Sequence, residues 1–427
     1  MSRLRPILLA LFVVLVAAPS ADAARRGPCL IPGTAATCFT WSGKVTYVAD
    51  ADTIYVDVDG DGTRRTAYVR ITGINATEQS VYSKYASRRR GECHALEATA
   101  RLERLIRRSR GRVRLIAQDP SSHSGRRIRR SVAVKLNGRW RDVGRRLLIE
   151  GHALWLPNRA ESLWNETYSI LAQRAARKGR GIWNPSHCGV GPSEGWPLQL
   201  WVNSDAEGHD GFNPGGEWVT VRNLSTTAEL PLGGWWVRDS GLRRYTFPSW
   251  TTVAPGESIR VYVGEGEDTW TEFFWGLRRA VFDNATSDER RMGDGAFLFD
   301  PQGDLRAAMQ YPCREQCADP NAGAIEITAD VRGREQIRLR NVAAHAVDLA
   351  PYRLESPPYA YAFSSDALLQ PGETMAIDVE GDPGDDTRLA KAWGETGPIL
   401  NNGGDRVRLK SYTQVEIGCY AFGKASC

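Results

Sequence analysis

Two aspartates stand two residues apart in Asp50-Ala51-Asp52-Thr53, and a third carboxylate, Glu78, follows Arg70. On an extended strand that spacing turns both aspartates to one side, where they can approach one hard cation. Carboxylates beside arginine are the parts of phosphodiester hydrolysis. A cation holds a phosphate oxygen, a carboxylate takes a proton from water, and a guanidinium neutralises the pentacoordinate charge.

The charge of the surrounding chain favours the same chemistry. The formal net charge of +5 hides a division. Residues 24–190 hold 31 Lys and Arg against 14 Asp and Glu, a charge of +17. Residues 191–427 hold 22 against 35, a charge of −13. The basic part calls for a polyanionic partner, most simply DNA or RNA, and the acidic part does not. Arg88, Arg89, Arg90, Arg126, Arg127 and Arg129 are the candidate nucleic-acid contacts.

The elements that must position these groups are short. Lys44–Val48, Thr53–Val56 and Thr66–Ile71 read as strands, the last two joined by a turn at Asp59-Gly60-Asp61-Gly62. That turn begins like a calcium-binding loop, but its twelfth position is Tyr68, so a hairpin is expected. A helix is predicted over 95–107, with Leu96, Thr99, Leu102, Leu105 and Ile106 on one face. Strands over 113–116 and 131–136 and helices over 143–150 and 160–177 complete a small barrel carrying helices. His94, His123 and His152 are read as lone histidines, without metal-like spacing.

Residues 1–23 have the pattern of a secretory signal: Arg3 and Arg5, an apolar run, then Ala21-Asp22-Ala23. The run is too short to span a bilayer, and no other stretch is apolar enough. The expectation is a secreted or cell-envelope protein without a transmembrane segment in its mature chain. Eight cysteines in an exported chain point to disulfides. Cys29/Cys38, Cys313/Cys317 and Cys419/Cys427 form local pairs, leaving Cys93 for Cys188.

Residues 43–185 resemble the staphylococcal-nuclease (thermonuclease-like) domain. The resemblance rests on Asp50-Ala-Asp52-Thr53, on Val69-Arg70-Ile-Thr-Gly-Ile-Asn75-Ala76-Thr-Glu78, on Glu97-Ala98 and on Gly179-Arg-Gly181-Ile-Trp183. It implies an OB-fold barrel and Ca2+-dependent cleavage of DNA and RNA. Asp52 becomes a metal ligand with Asp50 beside it, Arg70 the first phosphate-binding arginine, and Glu78 the general base. Asn75 stands where the family has a metal-binding Asp and offers an amide oxygen instead. Ala76 offers its backbone carbonyl. Arg130 best fits the second arginine, with Arg129 and Arg126 as competitors.

Beyond a segment over 188–196 read as a linker, the chain is strands and turns, and it repeats. Glu217-Trp-Val-Thr-Val-Arg-Asn223 recurs as Glu335-Gln-Ile-Arg-Leu-Arg-Asn341, and Ala254-Pro-Gly-Glu257 as Gln370-Pro-Gly-Glu373. The offset stays at 116–118 residues, which means tandem domains. Residues 197–317 resemble a lamin-tail domain, an immunoglobulin-like β-sandwich, and 322–427 a diverged copy. The whole is thus expected to be mostly β and multidomain. A signal (1–23) and a Cys segment (24–42) precede an OB-fold β-barrel with three helices (43–187). Two immunoglobulin-like β-sandwiches follow. The function expected is that of a secreted metal-dependent nuclease whose acidic tail binds a protein or envelope ligand. The rivals are a weak or inactive nucleic-acid-binding protein and a surface-assembly protein acting through the tail.

Overall fold

A computed structural model describes residues 24–427, except 190–192, 194, 205–211, 226, 285–291, 316–318, 320, 345, 365 and 412–414. The expected signal therefore lies outside the described residues. The protein is mostly β. Among the described residues no helix is long and apolar enough to cross a membrane.

The basic part is a closed five-stranded, OB-like barrel. Thr37–Val48 pairs with Thr53–Val58, which pairs with Ala67–Ile71. Arg127–Leu136 runs parallel to Ala67–Ile71 and antiparallel to Arg112–Ala117. Arg112–Ala117 returns to Thr37–Val48 and closes the ring. Closure leaves no open edge among these strands. The Asp59–Gly62 segment is a hairpin turn, with Gly60 and Gly62 at φ of 74° and 71°.

Three helices cover the barrel: α1 (Ala95–Arg108), α2 (Val143–Ile149) and α3 (Asn165–Arg177). The α1 stripe of Ala98, Thr99, Leu102, Leu105 and Ile106 is buried, but Leu96 is exposed. Residues 160–164 are not part of α3; a short 3-10 turn over Ser162–Trp164 precedes it. Asp142 caps α2 by accepting from Arg145 N at 3.1 Å. The loop after α2 touches the segment after α3 backbone to backbone. A Cβ on Gly181 would lie 2.2 Å from the Gly151 carbonyl oxygen, so only glycine fits.

The two sandwiches repeat each other sheet for sheet. In the first, Leu198–Asn203, Trp218–Asn223, Ser258–Tyr262 and Glu272–Phe274 form one four-stranded sheet. Arg244–Thr246, Trp236–Asp239, Asp294–Phe299 and Leu305–Tyr311 form the facing one. The same two orders recur over Ile325–Ala421. The repeated sequence pieces are internal pins. Buried Glu217 accepts from Val281 N at 2.8 Å, and its counterpart Glu335 accepts from Ile399 N at 2.8 Å. Asn223 and Asn341 each donate Nδ2 to a backbone carbonyl, at 3.0 Å to Val253 and 2.9 Å to Leu369. Buried backbone groups require such partners, which explains why these polar residues recur inside a core.

The barrel and the first sandwich share a core. Leu154, Ala175, Ile182 and Trp183 from the barrel pack with Phe297, Phe299 and Leu305 from the sandwich. Around it, Arg174 pairs with Glu315 at 3.0 Å, and Gln173 Nε2 donates to the Pro312 carbonyl at 2.9 Å. The segment expected as a linker is tied to the sandwich as well. Cys188 N donates to Asp304 at 2.7 Å, and the Ser193 hydroxyl to Asp300 at 2.5 Å. It is not a free tether.

Disulfides join Cys29 to Cys38, Cys93 to Cys188 and Cys419 to Cys427. Cys317, the expected partner of Cys313, lies outside the described residues. The bonded cysteines are compatible with an extracellular protein.

Candidate functional site

Asp50 and Asp52 do not lie on a strand. They occupy the tight connection between Thr37–Val48 and Thr53–Val58. There the Asp50 carboxylate accepts from Asp52 N at 3.1 Å, a local side-chain turn that competes with extended structure. The strict i, i+2 geometry of a strand is lost, and the two groups take different surroundings.

Asp52 is buried and fully engaged. Its Oδ1 accepts from the Thr53 hydroxyl at 2.8 Å and pairs with Arg70 Nη1. Its Oδ2 accepts from Ala76 N at 2.9 Å. Arg70 Nη2 donates to Asn75 Oδ1 at 2.6 Å and to the Ile74 carbonyl at 3.3 Å. Asn75 Nδ2 donates to the Ser240 carbonyl of the first sandwich at 2.6 Å. The guanidinium of Arg70 is thus an internal cation between Asp52 and Asn75.

The residues expected to hold calcium are engaged with one another. Asn75 turns its amide oxygen to Arg70, and Ala76 presents its N–H to Asp52. The Asp52 and Asn75 oxygens both face the Arg70 guanidinium.

Asp50 is pushed up to about 8, first by burial and then by the neighbouring Asp52 charge. Glu78, half-buried, is also held above its ordinary range by burial and by Asp52, with Arg70 and the Tyr82 hydroxyl acting the other way. Tyr82 donates to Glu78 Oε2 at 3.2 Å. A carboxylate shifted upward is a stronger base than an exposed one.

The arginines separate by strand alternation. Arg129 is the register partner of Arg70 across the parallel pair. Burial and the Arg70 charge both lower its pKa, which places the two guanidiniums in one field. Arg127, two residues away on the same side, donates to the Thr53 hydroxyl at 3.2 Å. Arg130 points to the opposite side. It donates Nη2 to the Pro120 carbonyl at 2.8 Å and stacks over Trp41 at 4.5 Å. Arg129 thus lies beside Arg70, and Arg130 on the other side. Among the other candidate contacts, Arg88, Arg90 and Arg126 are exposed. Arg89 is buried, donating to Glu103 at 2.7 Å and to the Ser83 carbonyl at 2.8 Å, so it holds the fold instead.

Two features escape sequence reading. The first sandwich supplies Arg238, buried with a free Nη2 group, and its charge interacts with Glu92 and Glu78 of the barrel. Nothing near Arg238 in the sequence signals this. The second is that His94 and His152 are not isolated: they meet each other and His187. Only His123 stays apart, on an exposed loop beside the Ser121 carbonyl.

The family model of the Lamin Tail Domain matches residues 202–313. That region is the first sandwich. No curated protein matches the chain.

Proposed function

We propose that the barrel binds nucleic acid and cleaves its phosphodiester bonds, with Glu78 as base and Arg70 and Arg129 on the phosphate. The observation that carries this reading is the register pairing of Arg70 with Arg129, beside a Glu78 whose basicity is raised by burial. Two guanidiniums on one face match two non-bridging phosphate oxygens. Glu78 takes a proton from a water, whose oxygen then bonds to phosphorus. The arginines neutralise the added charge of the pentacoordinate state, and the P–O bond to the leaving oxygen breaks. Asp52 acts through Arg70, whose fork it holds in place. The exposed Arg88, Arg90 and Arg126 extend the basic surface along a polyanion.

The acidic tail fits a binding or tethering role for a protein or envelope component, in keeping with its lamin-tail likeness. The disulfides are in keeping with export to an oxidising compartment.

A second reading has its own observation. The chain Asp52–Arg70–Asn75–Ser240 engages the Asp52 carboxylate, the Arg70 fork and the Asn75 amide internally. That suits a protein that binds nucleic acid without cutting it. Incubating the purified full chain with plasmid DNA and RNA, in Ca2+ or in chelator, separates the readings. Cleavage lost in Glu78→Gln supports hydrolysis. Binding with no cleavage in either condition overturns it.

A further inference from the structure

Three histidines from separate segments meet beside the Cys93–Cys188 disulfide. His94 occupies the N-cap position of α1, His152 follows α2, and His187 precedes Cys188. His94 is buried, and both its ring nitrogens face other imidazoles. Its Nδ1 lies 2.6 Å from His187 Nε2, and its Nε2 lies 2.9 Å from His152 Nδ1. Glu97, one helical turn on, adds a carboxylate. His94, Glu97 and His187 each bring a donor atom within 4.8 Å of the other two.

We propose that His94 Nδ1, His187 Nε2 and a Glu97 oxygen bind a borderline first-row transition cation of the Zn2+ class. Two imidazoles and a carboxylate suit that class, whereas calcium takes oxygen ligands. The site is distinct from the Asp52–Arg70 network and does not depend on the proposed cleavage.

The hydrogen-bond chain behind His94 sets the required tautomer. His152 Nε2 faces Glu150 at 3.9 Å, and Glu150 is held by Arg101 through bonds of 2.5 and 2.8 Å. A carboxylate on that side favours the proton on His152 Nε2, which leaves His152 Nδ1 as acceptor. His94 then carries its proton on Nε2 and turns a lone pair outward from Nδ1. Metal-bound histidines characteristically have their other nitrogen engaged in this way. Without a cation, His187 donates its Nε2 proton to His94 Nδ1. With one, that proton moves to His187 Nδ1, and the cation takes both freed lone pairs.

The distances require little movement. Bonds of about 2.0–2.1 Å in a tetrahedron separate two nitrogens by about 3.3 Å, so the pair opens by roughly 0.7 Å. The disulfide fixes both backbones one residue away. Glu97 is exposed and His187 half-buried, so solvent reaches the remaining coordination position.

The test uses the tag-free full chain after chelator treatment. Calorimetric titration with Zn2+ should give one equivalent bound, and Co2+ should give the visible absorption of a four-coordinate site. His187→Ala and Glu97→Gln should each weaken Zn2+ binding by at least about 10–100-fold, the loss that follows even when only an outer-shell partner of a metal site is removed. If His187→Ala fails to fold, the exposed Glu97→Gln decides alone. No Zn2+ binding by the wild type, or equal affinity in a folded variant, overturns the site.

Discussion

Asn75 and Ser240 meet across the boundary between the barrel and the first sandwich, Asn75 Nδ2 donating to the Ser240 carbonyl at 2.6 Å. The other end of the same amide accepts from Arg70 at 2.6 Å. One side chain thus joins the sandwich to the buried ion pair of Arg70 and Asp52. The lamin-tail-like domain is part of the surroundings of the candidate site, not a remote appendage.

Asn75→Asp tests that join. The new carboxylate keeps a partner in Arg70 but turns an oxygen toward the Ser240 carbonyl, with no proton between them. A buried acceptor left facing an acceptor costs about 1–3 kcal/mol. Denaturant unfolding should therefore show Asn75→Asp less stable than wild type near neutral pH. Unchanged stability would show that the contact does not hold the two domains together.

Glu78→Gln should lower cleavage by about 10²–10⁴-fold with the fold intact. The wild-type rate should climb with pH as Glu78 ionises, through a value above the ordinary 4.5, because burial and Asp52 raise it. The residual rate of the variant should lack that limb. A pH profile identical in the two proteins would remove Glu78 from the reaction.

Arg129 and Arg130 are adjacent but should behave oppositely. Arg129→Ala should weaken DNA binding and reduce the slope of log affinity against log salt by about 1. Arg130→Ala should leave that slope alone and lower stability, because its guanidinium is spent on carbonyls and on Trp41. Salt titrations of DNA binding by both variants decide the matter. The reverse pattern would restore Arg130 as the phosphate contact.

Asp50 gives a stability that depends on pH. Its folded value of about 8 stands above the 3.8 of an exposed aspartate. Between these values the folded state keeps a proton that the unfolded chain releases. The Asp50 contribution is therefore whole below the lower value and is lost as pH rises through the upper one. Asp50→Asn should gain on wild type between about pH 4 and about pH 9. Unfolding curves that stay parallel over that range would show that Asp50 is not buried as a proton-bearing acid.

Local pattern in the sequence determined much of this protein. Alternating strands, the Asp59–Gly62 turn and the apolar stripe of α1 follow from neighbours two, three or four residues apart, and those neighbours are visible in order. The repeat of Glu217 and Asn223 as Glu335 and Asn341 likewise foretold two copies of one sandwich. The residue types around Asp52, Arg70 and Glu78 marked the candidate site. Their directions were not legible. A guanidinium chooses among several acceptors within its reach, and only the folded chain paired Arg70 with Asp52. The parallel register of Ala67–Ile71 with Arg127–Leu136 selected Arg129 over Arg130. Tertiary packing alone delivered Ser240 to Asn75, Arg238 to Glu78, and His187 to His94. Their sequence separations run from about ninety to about one hundred and sixty residues, and no local periodicity encodes contacts that close loops of that length.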